Sequence, residues 1–252
     1  MKDESTGRIL KTSRTSLRVF ELVLERDGLT LADLDRLVDK PKSTLHSHLQ
    51  TLLDGRYLVR EGDRYRVSFR VALFGDVVAD RFPDYDRIRA AVEGLAEETG
   101  EEANFTVLEH GRLLFAHGAA GDSAAAEKDA NFRTDYHLQN TAAGRAILAE
   151  MDGDRVERIL DRWPVSEESE GTVTDRDRFF ESLDETSDRG YGVFDDESAL
   201  GLVAVGVPVH RNGGILGGLS VGGPKYRIDS DRLHGELADT LVEAAAALER
   251  SF

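Results

Sequence analysis

Pro41 separates two short runs of leucine-spaced residues, and that break constrains the chain more than any other feature. Before it stand Leu31, Leu34, Leu37 and Val38; after it stand Leu45, Leu49, Leu52 and Leu53. Spacings of three and four place each set on one face of a short helix. The residue before a proline is pushed out of the helical region, so Asp39 and Lys40 form the turn. Proline itself suits the first turn of the following helix. With the leucines turned inward, Lys42, Ser43, His46, Ser47 and Gln50 share an outer face that holds no acid until Asp54. A second helix after a tight turn, with such a face, is what a helix-turn-helix offers the major groove.

A solvated helix pair would show the same periodicity, so the next segment matters. Residues 58–69 read as two short strands around Glu61, Gly62 and Asp63, the wing of a winged helix. The wing carries Arg60, Arg64 and Arg66, suited to phosphates or a minor groove. The expected DNA-binding set is therefore Lys42, Ser43, Thr44, His46, Ser47 and Gln50, with Arg64 and Arg66 on phosphates; Thr44 has packing at the helix start as its other role.

The net charge of −16 runs against DNA binding until the chain is divided. Residues 1–70 hold 14 Lys and Arg against 11 Asp and Glu, a net of +3; residues 71–252 hold 18 against 37, a net of −19. Only the proposed DNA-binding part is positive. Of the 32 basic residues, 6 are Lys and 26 are Arg. Abundant acid with scarce lysine resembles proteins of salt-accumulating haloarchaea, where a Debye length of about 3 Å at molar salt screens acidic self-repulsion. An ordinary acidic cytosolic protein is the alternative. The absence of cysteine excludes disulfides, thiolate metal sites and cysteine nucleophiles. No run of eighteen apolar residues and no apolar N-terminal stretch is present, so the expectation is a cytoplasmic protein with no membrane association.

The domain reading is a flexible N-terminus over residues 1–12, a winged helix-turn-helix over 13–70, a linker helix over 71–83 and a larger second domain over 84–252. Residues 13–26 form an amphipathic helix behind the helix pair, and Thr30 with Asp33 has capping-box spacing. In residues 71–82, Leu73 and Val77 lie four apart, as do Phe74, Val78 and Phe82, giving a wide apolar face that covers its own domain or pairs with a second copy. Further on, helices are expected over 85–100, 141–151, 154–163, 175–189 and 229–250. Strands are expected over 104–108, 112–117, 191–194, 202–210 and 215–221, with Asn212–Gly213 as a hairpin turn. Residues 121–127 are ambiguous, 128–137 extended and 167–171 an acidic loop. Hairpins with helices between them predict an α+β domain with an antiparallel sheet.

Four segments then carry a family resemblance. NTAAGRAILA at 140–149 resembles the small-residue helix start with G-[KR]-A-[IL]-L-A in IclR-type transcriptional regulators. RGYGVFDDE at 189–197 resembles their R-x-G-Y segment ending in Glu. GLVAVGVPVHRNGGILGGLSVGG at 201–223, followed by Pro224, resembles their A-x-P strand, turn and glycine-ended strand. PKSTLHSHLQTLL at 41–53 resembles their recognition helix. The four lie in family order. The resemblance implies a winged helix, a linker helix that helps dimerise, and a GAF-like effector domain. It also implies a homodimer or homotetramer on a pseudo-palindromic double-stranded DNA operator, answering to a small organic effector. The family's ligand cleft carries over to Ala142, Ala143, Phe194, Leu202, Ala204, Ser220 and Gly222. Ser47 departs from the arginine many members have, which weakens any guanine contact there. Phe194 and Ala204 are apolar where some members have an acid and a cysteine nearby, so the ligand of those members does not transfer.

Ala142, Ala143 and Gly144 have a logic of their own: small residues in a first helical turn leave N–H groups uncovered for a carboxylate or phosphate. Close packing of helix on sheet also wants Ala and Gly. Arg145, the one basic side chain near that turn, faces either the cleft or solvent. The effector is expected to be anionic, with its charged end at Ala142–Gly144 and its body against Leu202, Ala204 and Phe194, while Ser220 donates one hydrogen bond. The paired glycines at 213–214, 217–218 and 222–223 lack a following Lys-Ser/Thr and read as turns and close packing. No metal-ligand spacing, cofactor motif or Ser/His/Asp signature is present, which argues against an enzyme. The competing class is a metabolite-binding protein or enzyme whose helix-turn-helix serves protein interaction.

Overall fold

The structure, a computed structural model, describes residues 8–124, 135–163, 175–195 and 201–252. The chain divides into two compact units, Met1–Phe82 and Pro83–Phe252.

In the first unit the elements run α1 (Lys11–Glu25), β1 (Leu29–Thr30), α2 (Leu31–Leu37), α3 (Lys42–Asp54), β2 (Leu58–Glu61), β3 (Arg64–Val67) and α4 (Arg70–Arg81). Val19, Leu22 and Val23 of α1 are spaced three and four apart and close on Leu34, Leu45, Leu49 and Leu52 to make one core. Fully burying a side chain of this kind contributes about 1.5–3 kcal/mol, so this cluster holds the three helices together. Thr30 starts α2 with the expected capping box: its hydroxyl oxygen accepts from the Asp33 N–H at 3.1 Å, and the Asp33 carboxylate accepts from the Thr30 N–H at 3.0 Å. Pro41 stands at the N-cap of α3. Strands β2 and β3 pair antiparallel from Leu58↔Val67 to Glu61↔Arg64 and form the wing. The sequence reading lacked β1, whose two residues add a third strand through Leu29↔Tyr65 and Thr30↔Arg64. Helix α4 buries none of its residues within the unit, and Leu73, Phe74, Val77 and Val78 are exposed.

The second unit carries α5 (Tyr85–Thr99), β4 (Glu102–Glu109), β5 (Arg112–Ala120), β6 (Asp135–Tyr136), α6 (Ala142–Ala149), α7 (Gly153–Arg162) and α8 (Arg176–Arg189). It continues with β7 (Gly192–Asp195), β8 (Leu202–Arg211) and β9 (Gly214–Pro224). Residues 230–251 close it as one helix, α9, containing a π segment at Leu233–Leu237. The sheet order is β6-β5-β4-β9-β8-β7, and every pair is antiparallel. The α+β architecture with an antiparallel sheet is the one expected, although the strands run further than the alternation alone shows. Asn212 and Gly213, both at positive φ, make the β8–β9 turn, as two-residue hairpin geometry demands. Period-2 alternation sends Val203, Val205, Val207, Leu219 and Val221 to one side, where they are buried with Ile88, Val92 and Leu241. On the other side, a cluster of Leu113, Leu138, Ile147, Leu148, Val156, Leu160, Phe179 and Leu183 packs α6, α7 and α8. The extended stretch expected at 128–137 lies outside the described residues but for β6 and its flank, the ambiguous stretch at 121–127 does so in part, and the acidic loop at 167–171 does so entirely. No helix among the described residues is long and apolar enough to cross a membrane.

Candidate DNA-binding surface and effector face

Leu45, Leu49 and Leu52 anchor α3 in the core and thereby fix which face looks out. Lys42, Ser43, His46, Ser47 and Gln50 are exposed, and Thr44 is half-buried. Ser47 and Thr51 donate to the carbonyls four residues back, Ser43 and Ser47, at 3.0 and 2.9 Å. His48 faces the opposite way from His46: it is buried, and its Nδ1 lies 2.8 Å from the Ser16 hydroxyl. Lys42 reaches Asp35 at 3.4 Å across the turn, an exposed pair of little energetic weight.

The wing arginines do not extend as free cations. Arg64 donates through Nη1 to the carbonyl of Gly28 at 2.7 Å, and Arg66 is ion-paired with Asp27 at 2.8 Å and Glu61 at 3.0 Å. Arg60 turns back to the carbonyl of Gly62 and lies over the Tyr65 ring. The cause is the bend at Asp27 and Gly28, both at positive φ, which brings a carbonyl and a carboxylate beneath β3. A phosphate contact by Arg64 or Arg66 has to compete with these partners.

In the second unit the strand register brings together the residues expected to line the effector cleft. Phe194, Ala204 and Gly222 form one row across β7, β8 and β9, and Gly206 and Ser220 belong to the next. Leu202 shares this face by parity and is exposed. The N-terminal turn of α6 lies directly on the same face. A Cβ at Gly206 would come within 2.1 Å of the Ala143 nitrogen, and one at Gly192 within 2.1 Å of the Ala142 oxygen. The small residues thus permit close packing, and Ala142 and Ala143 are 2% and 3% exposed.

The expected anion-binding turn is narrower than its sequence suggests. Thr141 caps α6 by accepting the Gly144 N–H at 3.0 Å, so that donor is already occupied. A Cβ at Gly144 would come within 2.1 Å of the Leu138 carbonyl oxygen, which identifies it as a close-approach position and not a lining one. Only the Ala142 and Ala143 amides are left without an acceptor among the described residues. Arg145 is half-buried and held in place: Nε donates to Gln139 O and Nη1 to Val193 O, both at 3.0 Å. Burial, and after it the like charge of Arg189, draws its pKa below the usual arginine range, while Asp195 acts in the opposite sense.

Sequence reasoning missed two polar residues on this face. Asn104 is the β4 partner of Ser220, and Glu102 is the partner of Gly222. Asn104 donates to the Glu102 carboxylate at 3.1 Å, leaving its own Oδ1 buried without a hydrogen bond. Only the register between β4 and β9, more than a hundred residues apart, could have revealed them.

A winged helix with an exposed polar recognition helix, joined to an antiparallel α+β unit with a ligand-type helix start, defines a DNA-binding regulator with an effector domain. The IclR helix-turn-helix domain model matches residues 16–62, and the IclR C-terminal model of bacterial transcriptional regulators matches residues 84–250, so the chain belongs to the IclR family of ligand-responsive transcriptional regulators. The HTH-type regulator ArcR of Halobacterium salinarum is 26% identical over 93% of this chain and 90% of its own. In fold, the chain resembles an IclR transcriptional regulator from Alicyclobacillus acidocaldarius (TM-score 0.80, 22% identity, 96% and 99% of the two chains covered). It also resembles an IclR homologue from Microbacterium hydrocarbonoxydans complexed with 4-hydroxybenzoate (TM-score 0.77, 21% identity, 95% and 98% covered).

Proposed function

We propose that the chain regulates transcription from a pseudo-palindromic operator, which it binds in the cytoplasm as a dimer or a dimer of dimers. It has no enzymatic activity in this reading. Lys42, Ser43, Thr44, His46, Ser47 and Gln50 dock α3 on the DNA, with His46 and Gln50 facing base edges in the major groove. The observation that carries this is the outer face of α3: exposed, hydrogen-bonding and without an acid until Asp54 in a chain of net charge −16. A single winged helix touches too little DNA for high specificity, and paired half-sites supply the rest. The exposed Leu73, Phe74, Val77 and Val78 of α4 fit the pairing of two copies.

The effector in this proposal is a small organic carboxylate. Its charged end sits at the Ala142 and Ala143 amides, its body lies against Phe194, Leu202 and Ala204, and Ser220 beside Gly222 orients it. The bound 4-hydroxybenzoate of the Microbacterium homologue supports a small carboxylate as the class. The ArcR relative from Halobacterium salinarum supports work at high potassium. Selection of duplexes from a random pool at molar potassium chloride, followed by competition with small carboxylates, tests the whole reading. It fails if no duplex is enriched, and the effector part fails if no carboxylate changes DNA affinity.

A further inference from the structure

Between α1 and α3 lies a groove of about 510 Å³ lined by Thr12, Ser13 and Ser16 on one side and Ser43, Thr44, Ser47, His48 and Thr51 on the other. Seven of these eight residues carry a hydroxyl, and none is acidic or basic apart from the histidine. Ser47 and Thr51 spend their protons on carbonyls of their own helix. The hydroxyls of Thr12, Ser13, Ser43 and Thr44 donate to no group among the described residues. These four belong to the first turns of their two helices.

Those first turns share a second property. Neither α1, after Leu10, nor α3, after Pro41, has a side-chain cap, and neither has an acid in its first turn. Both helices exceed three turns, so each presents unsatisfied N–H groups and a partial positive charge at this end. The chain caps α2 with Thr30 and Asp33 and α8 with Asp175, but leaves bare the two starts that flank the groove, as it does that of α4. The floor is His48, which is 7% exposed. Its Nδ1 is held by Ser16, and its Nε2 has no hydrogen-bond partner among the described residues. In the tautomer in which Ser16 donates to Nδ1, the ring proton sits on Nε2, which is then a further donor.

We propose that this groove seats a phosphodiester of the DNA backbone beside the major groove that α3 enters, gripping it with uncharged donors: the four first-turn hydroxyls, the bare helix N-termini and His48. The inference rests on the DNA-binding reading and adds α1 to the docking surface. The groove adjoins the exposed face of α3 through Ser43 and Ser47, so an anion there belongs to the same duplex. Its consequence is distinctive. Affinity gained by neutralising phosphates with Lys or Arg falls with salt because counterions are released, whereas neutral donors add affinity without adding to that slope.

The test uses the full-length protein and two duplexes, one enriched from a random pool and one of random sequence, titrated across a range of potassium chloride. Thr12→Val with Ser43→Ala should weaken both duplexes about tenfold and leave the slope of log affinity against log salt unchanged. Lys42→Gln, the charged control, should lower the slope by about 0.9, as for one phosphate contact. Thr12→Asp with Ser43→Asp should hold or raise the thermal midpoint, since acids stabilise helix starts, yet abolish DNA binding. A native protein that binds no duplex overturns the DNA-binding reading and this inference with it. A native protein that binds, with Asp variants that bind as tightly, overturns the groove alone. A changed slope for the Val and Ala variant overturns the claim that the contact is uncharged.

Discussion

Arg227 meets Glu101 through two of its guanidinium nitrogens, Nε at 3.0 Å and Nη2 at 2.7 Å, around a carboxylate that is 0% exposed. Arg232 adds a third nitrogen at 2.7 Å, so one buried acid at the start of β4 gathers two cations from the segment after β9. A Cβ at Gly223 would come within 2.6 Å of the same carboxylate, so glycine is required there for space. Removing one member of a buried ion pair leaves an uncompensated charge and costs about 3–5 kcal/mol. Glu101→Ala should therefore destabilise the second unit by about that amount. Arg176→Ala, which breaks exposed pairs with Glu157 and Asp161, should cost less than about 1 kcal/mol. Urea unfolding of the two variants checks the contrast.

His210 stands between two carboxylates, those of Glu150 and Glu249. Burial opposes its charge and is the largest single influence. Hydrogen bonds from Nε2 to Glu150 at 2.7 Å and from Nδ1 to Glu249 at 2.9 Å outweigh it, so its pKa lies above the usual histidine value. A raised folded-state pKa contributes stability that is complete below about pH 6.5, the unfolded value, and is lost as the pH rises through the folded one. The thermal midpoint should thus fall across neutral pH in the native protein. In His210→Gln that part of the pH dependence should disappear.

Helix α4 exposes Val77 at 46% and Val78 at 67%, with nothing of its own unit to bury them. If a second copy covers this face, Val77→Asp with Val78→Asp should give a monomer by light scattering. That variant should also bind the selected duplex at least a hundredfold more weakly. An unchanged oligomer would remove α4 from the interface.

On the proposed effector face, Ala204 stands between Phe194 and Gly222 and is partly exposed, so a larger side chain there would fill the space the proposal gives the ligand. Ala204→Leu should abolish the change in DNA affinity produced by an active carboxylate and leave ligand-free affinity within about twofold. A normal response would place the effector elsewhere.

What was legible in the sequence was local. The Thr30–Asp33 box, the Pro41 break and the Asn212–Gly213 turn each depend on residues within four positions of one another, and all three stand as read. What escaped depends on pairing across long separations. Strand β1 exists only because Tyr65 and Arg64 lie beside Leu29 and Thr30. The side chains of Arg64 and Arg66 are taken up by a bend some 38 residues earlier, which no charge count reveals. Asn104 lies beside Ser220 only through the β4–β9 register, and the Gly144 N–H is taken by Thr141. The family motifs marked α6 and its sheet as a ligand site, but only the backbone shows which amides remain open.

The central claim is that α3 reads DNA with its outer face, and base-specific loss tests it most directly. Gln50 is exposed on that face and makes no hydrogen bond within the protein among the described residues. Gln50→Ala should be titrated by fluorescence anisotropy against the selected duplex, a set of its single-base variants and a random duplex. The account predicts a loss of about 1–3 kcal/mol on the selected duplex, relaxed preference at one base position and an unchanged affinity for random DNA. Equal affinity of native and Gln50→Ala proteins for every duplex, together with the same result for His46→Ala, would contradict it.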